Sequence, residues 1–76
     1  MAYQNIEEER ARLGLTRTAL AAEMSISLPT YNKYVSGEAA LPSDKLLYLH
    51  RRFGVSTDYL LGLTINPITE PPAPEQ

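Results

Sequence analysis

The sequence predicts an all-α fold, and three observations carry that prediction. Apolar residues recur at i, i+3, i+4 and i+7, the spacing of one helix face. Helix-capping residues and glycine stops alternate along the chain, with short connections between them. No stretch alternates polar and apolar residues for long enough to build a sheet. The 76 residues allow one domain, near the lower limit at which a single core holds unaided. With no cysteine in the chain, neither disulfides nor cysteine-based zinc sites can reinforce that core. Short, tightly packed helices satisfy this demand better than strands paired over long range.

The elements follow in order. Asn5 is expected to cap a first helix from about Ile6 to Leu13, with Glu7, Glu8 and Glu9 in the first turn, where the helix dipole favours anions. Ile6, Arg10 and Leu13 share a face, and Gly14 supplies the stop. Thr16 caps a second helix, ending near Ser25, with Leu20, Ala21 and Met24 as its apolar stripe. Ser27 caps a third, with Pro29 in the first turn, where a missing N–H costs little. Tyr31, Tyr34 and Val35 form its apolar side, and Gly37 ends it. Pro42-Ser43-Asp44 opens a fourth helix with Leu46, Leu47, Leu49, His50 and Phe53 on its apolar side and Gly54 as the stop. Ser56 caps a fifth, from Thr57 to about Leu61, closed by Gly62. Four of the six prolines fall in the last twelve residues, so the expected organisation is a helical domain over 1–65 and a flexible Pro-rich tail over 66–76.

Composition narrows the function. No apolar run approaches the roughly 18 residues of a membrane span. The acidic opening MAYQNIEEER is unlike a signal peptide, so a cytoplasmic protein without membrane association is expected. The net charge of −2 argues at first against a polyanion partner. Two of the nine acidic residues, Glu70 and Glu75, lie in the tail, leaving seven acids against seven bases over 1–65. Three of those acids sit together in the first helix, which leaves Arg17, Lys33 and the Arg51-Arg52 pair to form positive faces elsewhere. Catalysis finds no support: the lone His50 has no carboxylate at helical spacing, and there is no Gly-rich phosphate loop or metal-ligand cluster. The expectation is a non-enzyme with no cofactor, metal or catalytic residue.

The segment RTALAAEMSISLPTYNKYVSG, residues 17–37, carries the functional signal. Two helices crossing steeply need a small residue at their contact, and Ala21 sits there. The turn needs a residue tolerant of unusual backbone, which is Ser25, followed by an apolar plug, which is Ile26. The second helix of the pair must bury one stripe, Tyr31 and Tyr34, and leave its N-terminus and opposite side free.

With those residues in register, the segment resembles the helix-turn-helix of the Cro and phage-repressor family, also called the XRE family. The likeness covers roughly residues 6–63. Arg10 matches the family's first-helix Arg, Thr16 and Ala21 its second-helix cap and crossing Ala, and Gly37 the Gly after its recognition helix. PSDKLLYLHRRFGVSTDYLLG is similar to its fourth and fifth helices throughout. The resemblance implies a compact five-helix, lambda-repressor-like DNA-binding domain of phage or bacterial type, with helices 2 and 3 as the helix-turn-helix and helix 3 entering the major groove. By family correspondence the DNA-facing residues are Arg17, Ser27, Leu28, Pro29, Thr30, Asn32 and Lys33. Asn32 suits an adenine edge, Lys33 a guanine or phosphate, and Leu28 and Pro29 a thymine methyl. Arg17 would meet a phosphate beside the helix N-terminus. Ser36-Gly37-Glu38 is a further backbone contact, with Glu38 repelled. The family usually carries Gln at the positions of Arg17 and Leu28, and both are absent. It often pairs its first-helix Arg with a Glu at the end of helix 3, where this chain has Val35. Arg10 then has Glu38, Glu7 or solvent as alternatives.

Plainer readings stand beside these. Asn32, Lys33 and Arg17 could be solvated surface positions. Tyr31 and Tyr34 fit a core better than a base-stacking platform, Tyr48 fits the surface, and His50 fits a partly buried core position. Arg51 and Arg52 are favoured in a last helical turn without any DNA role. The leading function is a sequence-specific regulator, repressor or Cro-like switch, binding double-stranded DNA as a homodimer. Leu60, Leu61, Leu63 and Ile65 are its dimer patch, since they exceed what a small core covers and the family places a dimer contact near helix 5. The runner-up is a repressor-like protein-binding module with an antirepressor or antitoxin type partner, favoured by the acidic pI, Leu28-Pro29 and the missing Gln pair. A third reading makes residues 64–76 the linker to a further part of a longer repressor.

Overall fold

The structure is a computed structural model that describes residues 2–66. Among these residues the chain forms five helices and no strand: α1 (Gln4–Arg12), α2 (Arg17–Glu23), α3 (Leu28–Ser36), α4 (Ser43–Phe53) and α5 (Thr57–Leu60). Helix α1 is the spine, packing against α3, α4 and α5, while α2 packs on α3 and α4 on α5. The expected tail over 66–76 lies outside the described residues, apart from Asn66. No helix among the described residues is long and apolar enough to cross a membrane.

One core joins all five helices. Ile6, Leu20, Ala21, Met24, Tyr31, Leu49, Phe53, Val55 and Leu60 are buried, and Ile26, Val35, Leu41 and Leu46 pack around them. Local chemistry accounts for most of the helix ends. Thr16, Ser27 and Ser56 each accept a hydrogen bond from the backbone N–H three residues on, satisfying a donor the helix itself cannot. Helix α1 closes on Gly14 at φ +73, with Gly14 N–H donating to the Ala11 carbonyl and Leu15 N–H to that of Arg10. That double closure demands a left-handed residue.

Three expectations need correction. Asn5 does not cap α1; the helix begins at Gln4 after Tyr3, and no side chain caps it. The start is held by Tyr3 N–H donating to the Val35 carbonyl (2.7 Å), and Asn5 Nδ2 reaches the Tyr59 carbonyl (2.7 Å), tying α1 to α5. Leu47 is exposed, because it lies about 100° round the helix from the face shared by Leu46, Leu49, His50 and Phe53. Glu9, expected in the first turn, lies beyond it; it is buried and takes bonds from Arg12 Nε (2.8 Å) and Nη2 (2.6 Å).

Candidate nucleic-acid interface

Helices α2 and α3 meet through a turn that the backbone makes explicit. After α2, Ser25 N–H donates to the Ala22 carbonyl and Ile26 N–H to that of Ala21, with Ser25 at φ +59. Ser25 thus holds the left-handed position that Gly14 holds after α1. Ala21 is buried at the crossing, and Ile26 packs against the core directly after the turn. Ser27 then caps α3, whose second residue is Pro29. Tyr31 anchors the helix inward, being almost wholly buried, while Tyr34 and Val35 are half-buried.

The anchor leaves the start of α3 outside the core. Ser27, Leu28 (37 % exposed), Pro29 and Lys33 are exposed; Thr30 and Asn32 are half-buried. Ser27 and Thr30 are engaged with each other. Ser27 Oγ accepts from Thr30 N–H (3.3 Å) and donates to Thr30 Oγ1 (2.9 Å). Asn32 Oδ1 is covered and takes no hydrogen bond among the described residues, so half of its amide faces inward. The Lys33 ammonium forms no ion pair among the described residues. Neither α2 nor α3 carries an acid in its own first turn, so neither helix offsets the positive end of its dipole from within. Arg17 opens α2 with its side chain 52 % exposed.

Beneath this surface lies a charged node of which the sequence offered only the Glu7–Arg10 pair, as one alternative. Both oxygens of Glu7 are shared between helices. Oε1 accepts from Arg17 Nε (2.7 Å) and Arg10 Nη2 (3.2 Å), and Oε2 accepts from the Tyr31 hydroxyl (2.6 Å) and Arg10 Nε (3.2 Å). Arg10 therefore takes Glu7 among its three alternatives, and its Nη1 also donates to the Leu15 carbonyl (2.5 Å) just before α2. Burial pushes the Glu7 carboxyl upward, but the bonds from Arg10, Tyr31 and Arg17 outweigh it and hold the group below its usual range. Burial, reinforced by the Glu7 carboxylate, drives the Tyr31 hydroxyl far upward. The i, i+3 spacing of Glu7 and Arg10 is visible in the sequence; the convergence of Arg17 and Tyr31 is not.

A second node ties α2 to α4. Glu23 accepts from Tyr48 Oη (2.7 Å) and Arg52 Nε (2.9 Å), and Lys45 Nζ donates to the Met24 carbonyl (2.9 Å) at the end of α2. Tyr48, expected at the surface, is half-buried with its hydroxyl on Glu23. The half-buried His50 places Nδ1 2.6 Å from the Val55 carbonyl. No group of three or more His, Cys, Asp or Glu among the described residues could hold a metal ion.

The expected dimer patch divides. Leu60 is a core residue, 0 % exposed, and cannot also present a surface; this corrects its place in the patch. Leu61 is half-buried, whereas Leu63 (68 % exposed) and Ile65 (95 %) stand in the open.

Comparison with known proteins adds two likenesses. A helix-turn-helix family matches residues 6–60, which span all of α2 to α5 and most of α1. The chain is also similar to an uncharacterized HTH-type transcriptional regulator, YobD, of Bacillus subtilis (strain 168). The two are 37 % identical over 67 residues, covering 88 % of this chain and 60 % of the relative. The chain thus spans about three-fifths of that relative's length. No solved structure matches.

Proposed function

The chain belongs to the helix-turn-helix family of Cro and phage-repressor type, and from that membership we propose that it is a sequence-specific, non-enzymatic, cytoplasmic DNA-binding regulator of transcription that lays α3 in the major groove. The observation that carries the proposal is the combination at α3. Tyr31 locks the helix to the core, while Ser27, Leu28, Pro29 and Lys33 at its start and outer side are uncovered. A rigid helix anchored on one side and open on the other is what groove reading requires. In this reading Lys33 and the exposed part of Asn32 address base edges, Leu28 and Pro29 make apolar contacts, Thr30 supports the N-terminal turn, and Arg17 contacts a phosphate.

A homodimer completes the reading, because one short recognition helix makes few contacts and two half-sites a helical turn apart multiply them. Leu63 and Ile65, with Leu61 at their edge, are the proposed contact. Light scattering on the chain, alone and with DNA, checks this: a dimer is expected in at least one condition, and a monomer in both contradicts it.

Selection from a random duplex pool tests the function itself. Enrichment of an inverted repeat is the expected result, and Asn32→Ala should then relax preference at one base position per half-site. No enrichment would favour the protein-binding alternative, for which exposed Leu28 is the specific support. DNA binding should weaken steeply as salt rises, whereas an apolar protein contact should change little.

A further inference from the structure

We propose that Glu7 is a positioning residue for the phosphate contact: it grips the Arg17 guanidinium at Nε and leaves both terminal nitrogens for a phosphate. The inference rests on the DNA-binding reading above. Arg17 Nε donates to Glu7 Oε1 at 2.7 Å, and its two terminal nitrogens take no partner among the described residues. A guanidinium is a planar fork that can hold one anion through Nε while presenting the terminal nitrogens to another. Glu7 is itself immobilised, since Arg10 contacts both of its oxygens and is braced on the Leu15 carbonyl at the entry to α2. The remaining bond, from Tyr31 Oη to Oε2 at 2.6 Å, fastens α3 to the same carboxylate. One side chain on α1 therefore fixes the phosphate-facing cation of α2 relative to the reading helix. A freely rotating Arg17 would have to lose its rotamer freedom on each encounter with DNA, and the grip removes part of that cost in advance.

The test is a double-mutant cycle on a duplex carrying the sequence selected by the unmodified chain, with affinities read by fluorescence anisotropy at one salt concentration. Arg17→Ala should weaken binding about tenfold in the wild-type background, the scale of one charge-assisted bond, and about twofold or less in Glu7→Gln. Any uniform effect of removing the Glu7 charge cancels in this comparison. Equal losses in both backgrounds would overturn the inference, as would a larger loss in Glu7→Gln, the signature of a carboxylate that competes with phosphate. Because Glu7→Gln also loosens the fold, side-chain NMR of the unmodified chain supplies a second reading. Arg17 Nε–H should exchange slowly with water both free and on DNA; fast exchange in the complex would overturn the proposal. An unmodified chain that binds no duplex would overturn the DNA reading and this inference together, whereas one that binds with matched losses would overturn this inference alone.

Discussion

Ser25 occupies a conformation, φ +59, that a residue with a side chain adopts only at a cost. Ser25→Gly should therefore stabilise the chain by roughly 0.5 kcal/mol, after allowing for the greater freedom of Gly when unfolded. A melting temperature raised by about 2–4 °C in circular dichroism is the expected result, and an unchanged or lower one contradicts it. Glu7 and Tyr31 make stability depend on pH from opposite ends. The folded value of Glu7 lies below the ordinary 4.5, so its contribution is whole above pH 4.5 and lost as pH falls through the folded value. Glu23, held down by Arg52 and Tyr48, adds in the same direction. Tyr31 lies above its ordinary 10.0, so its contribution is whole below pH 10 and lost as pH rises towards the folded value. Melting temperature against pH should fall at both ends, more gently on the acid side in Glu7→Gln and on the alkaline side in Tyr31→Phe. Parallel curves for the variants and the unmodified chain would contradict these roles. The caps at Thr16, Ser27 and Ser56 were legible because a cap bond spans three residues. The roles of Asn5 and Glu7 were not, because their partners Tyr59 and Tyr31 lie far along the chain and only the fold brings them near.

Among the elements, α2 is held to its neighbours by two different kinds of contact. Its inward residues Leu20, Ala21 and Met24 enter the core, whereas Glu23 meets Tyr48 and Arg52 of α4 near the surface. Area and desolvation make these unequal. Arg52→Ala should cost little, as for other exposed ion pairs. Leu20→Ala should cost about 2–5 kcal/mol, because it opens a cavity under the helix-turn-helix. Urea denaturation of both variants checks the ranking, and an Arg52 effect equal to that of Leu20 would contradict it. Helical periodicity made the five elements legible, but it over-read the side of α4. Leu46, Leu49, His50 and Phe53 form one stripe, and Leu47 is adjacent in sequence without sharing their direction. The expected patch after α5 failed in one member for a related reason: Leu60, the last residue of α5, turns into the core while Leu63 and Ile65 beyond it do not.

For the whole molecule, the fold class and the helix-turn-helix register were readable because short-range signals agreed all along the chain. The distribution of charge within the fold was harder to read, since sequence counts give totals rather than positions. Seven acids balance seven bases over residues 1–65, yet Glu7, Glu9 and Glu23 are each bonded to an arginine, while the ammonium of Lys33 on α3 is unpaired among the described residues. A neutral domain can therefore present a locally positive edge. Chemical-shift mapping with a duplex carrying the selected sequence tests this most directly. The account predicts that the largest backbone shifts fall at Arg17 and from Ser27 to Lys33, with Leu49 and Phe53 in the core nearly unmoved. Shifts concentrated elsewhere, or none at all under conditions where the duplex is in excess, would contradict it.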